Sequence, residues 1–321
     1  MLSFFANLFG YVLNFLYELC KNYGLAMILF SIIVKLLMLP LSIKQQKAMK
    51  KNSKIQNEMK QIQFKYKNDP EKANQEIMAL YKRENMSPLS GCLSSIVQII
   101  LLFSIFYLVK SPLTYMEKMD ESVIEQMKQV VSQQENVSNN YPEIAIIRFS
   151  KNLENRESVS EEQIENAESG VENNEDNLKI FKENKEQLDI NMDLLGIDLS
   201  KVPKDNINDW KVLIIPVLYV ISSFISIKYT TSVKNKKNKN DAKLITDGNE
   251  EKKEEAYDAM EDTNKMMSWM MPIMSVSIAY IAPLGLALYW FMNNILMIVE
   301  RFVFDMVLKD DDEKEEAEKN G

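Results

Sequence analysis

The chain is 321 residues long, 46% hydrophobic and 26% charged, with 38 Lys and Arg against 46 Asp and Glu and a net charge of −8. It has no histidine, which removes imidazole catalysis and the commonest metal ligand, and its two cysteines, Cys20 and Cys92, have neither metal-type nor redox-type spacing. A mean hydropathy of −0.22 hides apolar blocks at 2–16, 25–43, 92–109, 212–227 and 266–308, separated by charged stretches: a polytopic membrane protein rather than soluble domains. Residues 1–22 read as an interfacial amphipathic helix. Ser3, Asn7, Gly10, Asn14 and Glu18 recur on one side, and Phe5, Leu8, Phe9, Val12 and Phe15 occupy the other. A sixth span is the alternative, because the segment holds few charges. With no Lys or Arg in 1–19 and no A-x-A site after it, the segment does not read as a cleaved signal.

Residues 23–43 are the first expected span, and Lys35 lies in the middle of its apolar run, LAMILFSIIVKLLMLPLSI. A cation near the bilayer centre costs roughly 2.5–3.5 kcal/mol on insertion scales. Snorkelling is the bland reading, but roughly 13 Å of helix separates Lys35 from either end of the run, more than a lysine stem spans. Lys35 is therefore expected to face a wet, polar interior. No Asp or Glu stands in the central part of any expected span, so the cation is expected to be uncompensated.

Residues 44–90 read as a cytoplasmic helical hairpin. Ile55, Met59, Ile62 and Tyr66 form one stripe, Ala73, Ile77, Leu80 and Tyr81 a second, and Asn68-Asp69-Pro70-Glu71 supplies a helix-start signal between them. This segment holds eleven Lys and Arg against five acids, whereas 114–209 holds ten against twenty-two. By the positive-inside rule the first span exits into the cytoplasm, which places the N-terminus outside and the C-terminus inside. The remaining expected elements are a second span at 91–110, an acidic extracellular region at 111–210 and a third span at 211–228. They are followed by a charged cytoplasmic loop at 229–265, a two-span hairpin at 266–305 broken at Ala282-Pro283-Leu284-Gly285, and an acidic, disordered tail at 306–321. The sign of the tail argues against direct nucleic-acid binding. A flexible break is expected near Glu168-Ser169-Gly170.

Polar residues fall in stripes along the spans at 100° per residue. Ser31, Lys35 and Ser42 share a face in the first; Ser94 and Gln98 are one turn apart in the second; Tyr219, Ser222 and Ser226 line the third. Trp290, Asn294 and Arg301 align in the last, beside Tyr289 and Asn293. Any single serine of this kind can simply hold two helices together. Stripes on several helices, with a lysine among them, point to a shared hydrophilic groove.

Several stretches resemble the YidC/Oxa-type membrane protein insertases, in the Gram-positive-like form. GLAMILFSIIVKLLMLPLSIKQQKAMKK (24–51) resembles the first core span and its basic exit. IQNEMKQIQFKYKNDPEKANQEIMALYKRENMSPLSGCLSSIVQ (55–98) resembles the hairpin and the second span. LLGIDLSKVP (194–203) and PLGLALYWFMNN (283–294) resemble the approaches to the third and last spans. The resemblance implies an all-α, five-span bundle with a hydrophilic groove, a cytoplasmic hairpin and an N-terminal interfacial helix, in a bacterial plasma membrane. It implies an insertase and chaperone that moves nascent membrane proteins into the bilayer without covalent chemistry or a cofactor, with the ribosome and the Sec translocon as candidate partners; the oligomeric state is left open, a monomer being favoured. The groove residues it marks are Lys35, where the family usually carries arginine, with Gln98, Tyr289 and Trp290; the polar stripes add Ser31, Tyr219, Ser222 and Asn294. Most of 114–190 lies outside the quoted stretches and is expected to be dispensable. The competing functions are a small-ion or solute transporter or channel using Lys35, and a membrane-anchored scaffold built around the hairpin; neither an internal repeat nor paired broken helices supports the transporter.

Overall fold

The computed structural model describes residues 2–66, 69–84, 90–132, 140–157, 175–226, 228 and 277–320. They are mostly helical. Helix α1 (Leu2–Cys20) is followed by α2 (Tyr23–Lys65), α3 (Pro70–Arg83) and α4 (Ser90–Lys110). Among the described residues, three helical segments are long and apolar enough to cross a membrane: Leu2–Cys20, Tyr23–Gln46 and Leu284–Phe304; Ile99–Lys110 and Trp210–Ser226 are shorter apolar helices. The expected break at 168–170, the loop at 229–265 and most of the fourth expected span lie outside the described residues.

α1 is apolar on both sides. Ala6, Gly10, Leu13, Leu16 and Tyr17 are buried against α4, α2 and a short helix α5 (Pro112–Tyr115), while Phe4, Leu8, Tyr11, Phe15 and Leu19 form an exposed stripe. Gly10 is the point of closest approach, because a Cβ there would stand 1.8 Å from the Tyr115 carbonyl oxygen. The Lys118 ammonium reaches back to the Asn7 side chain at 2.8 Å and lies over the Tyr11 ring.

α2 is one helix of 43 residues, roughly 65 Å long, about twice the hydrocarbon thickness of a bilayer. The boundary drawn at residue 43 from hydropathy is therefore no break in the backbone. Residues 44–51 are good helix formers, so the segment changes solvent without changing conformation. Pro40 sits inside this helix. α3 folds back on the end of α2 and buries Ile55, Ala73 and Leu80 between them. Asp69 caps α3 by accepting from the Lys72 N–H at 3.1 Å, with Pro70 in the first turn, and the Arg83 guanidinium pairs with Glu58 across the hairpin.

At the opposite end of α2 the acidic region forms a packed cap. It contains α5, α6 (Glu121–Ser132), α7 (Pro142–Glu157), α8 (Glu175–Glu183), α9 (Lys185–Leu188) and a two-stranded hairpin of β1 (Asp193–Leu194) and β2 (Ile197–Asp198). Most of its described charged side chains face outward because the helices are amphipathic, with Glu143 the buried exception. Leu113, Met116, Ile124, Met127, Ile146, Phe181 and Leu188 are buried in a core continuous with that of the helices below. Buried Glu143 accepts from the Thr114 N–H at 2.9 Å and its hydroxyl at 2.7 Å, which satisfies donors at the start of α5; burial pushes its carboxyl up despite those bonds.

Residues 189–203 clasp the beginnings of two long helices. Asn22 caps α2, accepting from the Leu25 N–H at 3.0 Å, and donates to the Asp193 carbonyl at 2.6 Å. The Tyr23 N–H donates to the Asn191 carbonyl, and the Tyr17 hydroxyl donates to the Asp189 carbonyl and accepts from the Asn191 N–H. Helix α12 (Leu284–Asn320) starts after Pro283, and its first two N–H groups, at Leu284 and Gly285, donate to the carbonyls of Lys201 and Leu199, both at 3.0 Å. Helix starts leave such donors without intrahelical partners, so the clasp satisfies groups that lipid could not. Leu194 stands directly on Gly24, where any side chain would collide with it.

The tail differs from expectation, since α12 continues as helix to Asn320 instead of ending near 305. Asp310 and Lys314, and Glu315 and Lys319, have the i,i+4 spacing that supports an exposed helix.

Glu117, at the junction of α1 and the cap, is pushed up to about 7, first by burial and then by Glu18, against the opposing pull of Lys21. A carboxyl raised in the folded state binds its proton more tightly folded than unfolded, so stability is full below about pH 4.5 and is lost as pH rises toward 7. Glu117→Gln should therefore raise the stability of the cap by about 1–3 kcal/mol at pH 8 and leave it nearly unchanged at pH 4. Thermal unfolding of the two proteins in detergent at both pH values measures this; a difference independent of pH would mean that Glu117 ionises normally.

Candidate functional site: a polar seam and a buried ion pair

Three helices meet below the clasp: α2, α12 and α10 (residues 214–226), which is entered through a 3₁₀ turn at Trp210–Leu213. Asp209 caps that turn, accepting from the Lys211 N–H at 3.1 Å, and pairs with Lys201 at 2.8 Å. All three run in the same direction. Tyr23 neighbours Gly285 at one level, and Lys35 meets Glu300 further along.

The stripes on α10 and α12 mate in register. Tyr219 packs on Trp290 with ring centroids 5.9 Å apart. One turn on, the Asn294 amide donates to the hydroxyls of Ser222 at 3.3 Å and Ser223 at 2.7 Å. A further turn or two on, the Arg301 guanidinium reaches the Ser226 carbonyl at 3.4 Å. Steps of three and four residues on α10, and of four and seven on α12, keep the polar groups opposite each other, so this seam joins α10 to α12.

A second face of α12 meets α2. Gly285, Tyr289 and Glu300 fall within about 60° of one another at 100° per residue. Near one end of this row Gly285 approaches Tyr23, and near the other the Lys35 ammonium pairs with the Glu300 carboxylate at 2.6 Å, with side-chain exposures of only 19% and 7%. The pair lies roughly 18 Å along α2 from Tyr23. This corrects the expectation of an uncompensated cation. Glu300 lies within the last expected span but near its end, and only the register between α2 and α12 brings it level with Lys35. Its pairing offsets part of the cost of carrying Lys35 in an apolar run.

The candidate residues thus separate. Tyr219, Ser222, Trp290 and Asn294 come together in the α10–α12 seam. Lys35 belongs to the α2–α12 pair. Ser31 is buried one turn above it and donates to the Met27 carbonyl at 2.7 Å, and Tyr289 is buried on the α2 side of α12. Gln98 lies on α4, with its side chain outside the description. The residues missed from sequence are Glu300 and Ser223. Glu300 had a signal, since it is the acid that falls on the Gly285–Tyr289 face within the last expected span.

Four buried polar atoms have no hydrogen-bond partner among the described residues: Asn14 Oδ1, and, on the helices of the site, Tyr23 Oη, Trp290 Nε1 and Glu300 Oε1. Among the described residues, no group of three or more acids and cysteines could hold a metal ion. What the site offers is electrostatic: a cation held by one carboxylate oxygen, with the other oxygen still able to accept.

Removing one member of a buried pair leaves a charge uncompensated, at a cost of about 3–5 kcal/mol, whereas replacing both is often neutral. Lys35→Ala and Glu300→Gln should each lower the melting temperature in detergent. Lys35→Met/Glu300→Leu should recover most of the loss, and additive losses in the double variant would show that the two charges do not interact.

Comparison with known proteins agrees with this architecture. The family model described as the 60Kd inner membrane protein matches residues 15–167 and 176–311. It thus runs through most of the acidic region, which therefore does not stand outside the family's extent. The chain is similar to proteins named membrane protein insertase YidC. It is 40% identical to that of Clostridium perfringens over 104 residues, which is 32% of this chain and 44% of the relative. It is 43% identical to that of Chlorobaculum parvum over 100 residues, 31% of this chain and 17% of the relative. It is 44% identical to that of Rickettsia prowazekii over 96 residues, 30% of this chain and 17% of the relative. The matched segments cover less than half of each relative's own length. With a family match running through nearly all of its described helices, the chain belongs to the 60Kd inner membrane protein family, the YidC/Oxa group of membrane insertases.

Proposed function

We propose that this protein inserts nascent membrane proteins into a bacterial plasma membrane and helps them fold, as a five-span protein with its N-terminus outside and its C-terminus in the cytoplasm. Nascent membrane proteins and the lipid bilayer are its partners in this reading, with the ribosome and the Sec translocon as candidates to deliver substrate. The observation that carries it is the Lys35–Glu300 pair, an ion pair set among lipid-compatible helices with one carboxylate oxygen still without a protein partner. Buried polar atoms in membrane proteins ordinarily find water or each other, so a hydrated groove beside α2 and α12 accounts for Glu300 Oε1. Ser31, Gln98 and Tyr289 complete its lining in this reading, and the seam of Tyr219, Ser222, Trp290 and Asn294 forms the wall behind α12.

The mechanism is exchange of partners. A segment carrying acidic residues enters the wet groove from the cytoplasm, and its carboxylate competes with Glu300 for Lys35. The hydrocarbon path that its polar part must cross is thereby shortened, while its apolar part moves out to lipid. Glu300 keeps the cation tolerable while no substrate is present. The α2–α3 hairpin, basic and distant from the pair, serves recruitment. No bond is made or broken.

Insertion of matched substrates, in cells carrying each variant as the sole insertase at equal protein level, tests the exchange. Lys35→Arg should retain most activity. Lys35→Met/Glu300→Leu should remain folded yet lose roughly tenfold or more for substrates with an acidic translocated part, while sparing strongly apolar, uncharged ones. Full insertion of acidic substrates by that double variant would overturn the role of charge. Deleting residues 52–84 should reduce insertion without unfolding the core, and unchanged activity would show that the hairpin does not recruit.

A further inference from the structure

Between Tyr107 and Val217, the described residues expose three large apolar side chains: Leu195, Ile207 and Trp210. Among the described side chains, the helices of the cap expose no large apolar residue. Leu195 is 96% exposed, Trp210 70% and Ile207 57%. Leu195 and Gly196 are the two central residues of the β1–β2 turn, with φ of +55° and +79°. Two successive positive φ values define the tight hairpin turn in which Asn-Gly is the ordinary choice. A leucine is strained there, and its side chain covers nothing in the chain itself. Strain of this kind collects at working surfaces.

Leu195 and Trp210 lie where the exposed apolar surface of the long helices begins, and Ile207 stands three residues before Trp210 in the chain. Leu194, next to the tip, stands on Gly24 in the first turn of α2, and the exposed stripe Leu25, Leu29 and Leu36 starts one residue later. Trp210 opens the turn into α10, whose exposed face runs through Val217, Ile221 and Phe224. The Lys211 ammonium stands beside Gly196 at the tip. Tryptophan and lysine at the head of an apolar stripe are the side chains that seat at a membrane–water boundary, where an amphipathic ring and a snorkelling cation are both satisfied.

We propose that Leu195, Ile207 and Trp210 form a wedge that inserts into the headgroup–acyl boundary of the leaflet at the clasp end of the helices. The occupant is lipid, because Leu195 and Trp210 stand at the head of the exposed apolar faces of α2 and α10, with the exposed Lys211 ammonium beside the tip where headgroup phosphates lie. The proposal rests on α2 and α10 crossing the bilayer and is independent of insertion activity. It gives the clasp a fixed depth: the segment that holds the starts of α2 and α12 is itself held at the interface.

The test uses the full chain in liposomes of zwitterionic and anionic phospholipid. In a Cys20→Ser/Cys92→Ser background, spin labels are placed through Leu195→Cys, Trp210→Cys and, as a water-facing control on α6, Gln126→Cys. Relaxation by oxygen, which partitions into lipid, is compared with relaxation by a water-soluble nickel chelate. Labels at 195 and 210 should favour oxygen over nickel severalfold more than the label at 126. Nickel access at 195 and 210 equal to that at 126 would place the patch in water and overturn the wedge. Protection from both probes would show a protein partner or a second copy on the patch, and would overturn it equally. The two label positions report independently, so a variant that fails to fold at one leaves the other decisive.

Discussion

The arrangement of the long helices depends on one interaction, the ion pair between Lys35 and Glu300. In a medium with little water an ammonium cannot stand alone, and a carboxylate cannot either. Each makes the other admissible, and together they fix the rotation of α2 against α12. Once that rotation is set, the opposite side of α12 presents Trp290, Asn294 and Arg301 to α10, where Tyr219, Ser222, Ser223 and Ser226 receive them. Polar groups on two sides of α12 thus hold two neighbouring helices, while the outward faces of all three stay apolar.

The clasp at 189–203 solves a different problem. Lipid offers no partner to the free N–H groups at a helix start. Here backbone carbonyls of Leu199 and Lys201 take the first donors of α12, and Asn22 and Asn191 tie the start of α2 to the same strand pair. Those bonds set the two helices at a common level, which is why Lys35, twelve positions beyond Tyr23, and Glu300, fifteen beyond Gly285, can meet.

Much of this was legible in the sequence, for reasons of periodicity. The stripes on α10 and α12 follow from helical geometry, and so do the hairpin faces at Ile55, Ala73 and Leu80. Asp69-Pro70 marked the start of α3 because capping is local chemistry. The Lys35–Glu300 pair was not legible, because the two residues are far apart in the chain and periodicity within each helix says nothing about the register between helices. The clasp was equally hidden, since its bonds run through main-chain carbonyls that any residue could supply. Hydropathy placed the end of the first span at residue 43, but backbone conformation follows propensity, and the lysine- and glutamine-rich continuation is as helical as the leucines before it. The acidic tail continues as helix for the same reason.

Pro40 carries a mechanical consequence. It lies within α2, five residues beyond Lys35 on the way to the hairpin. Without an N–H it cannot bond the Leu36 carbonyl, so the helix is weakest to bending at that turn. A load applied at the hairpin would therefore be taken up as flexure just past Lys35, while the stretch from the clasp to Lys35, which has no such break, would hold the charge in place.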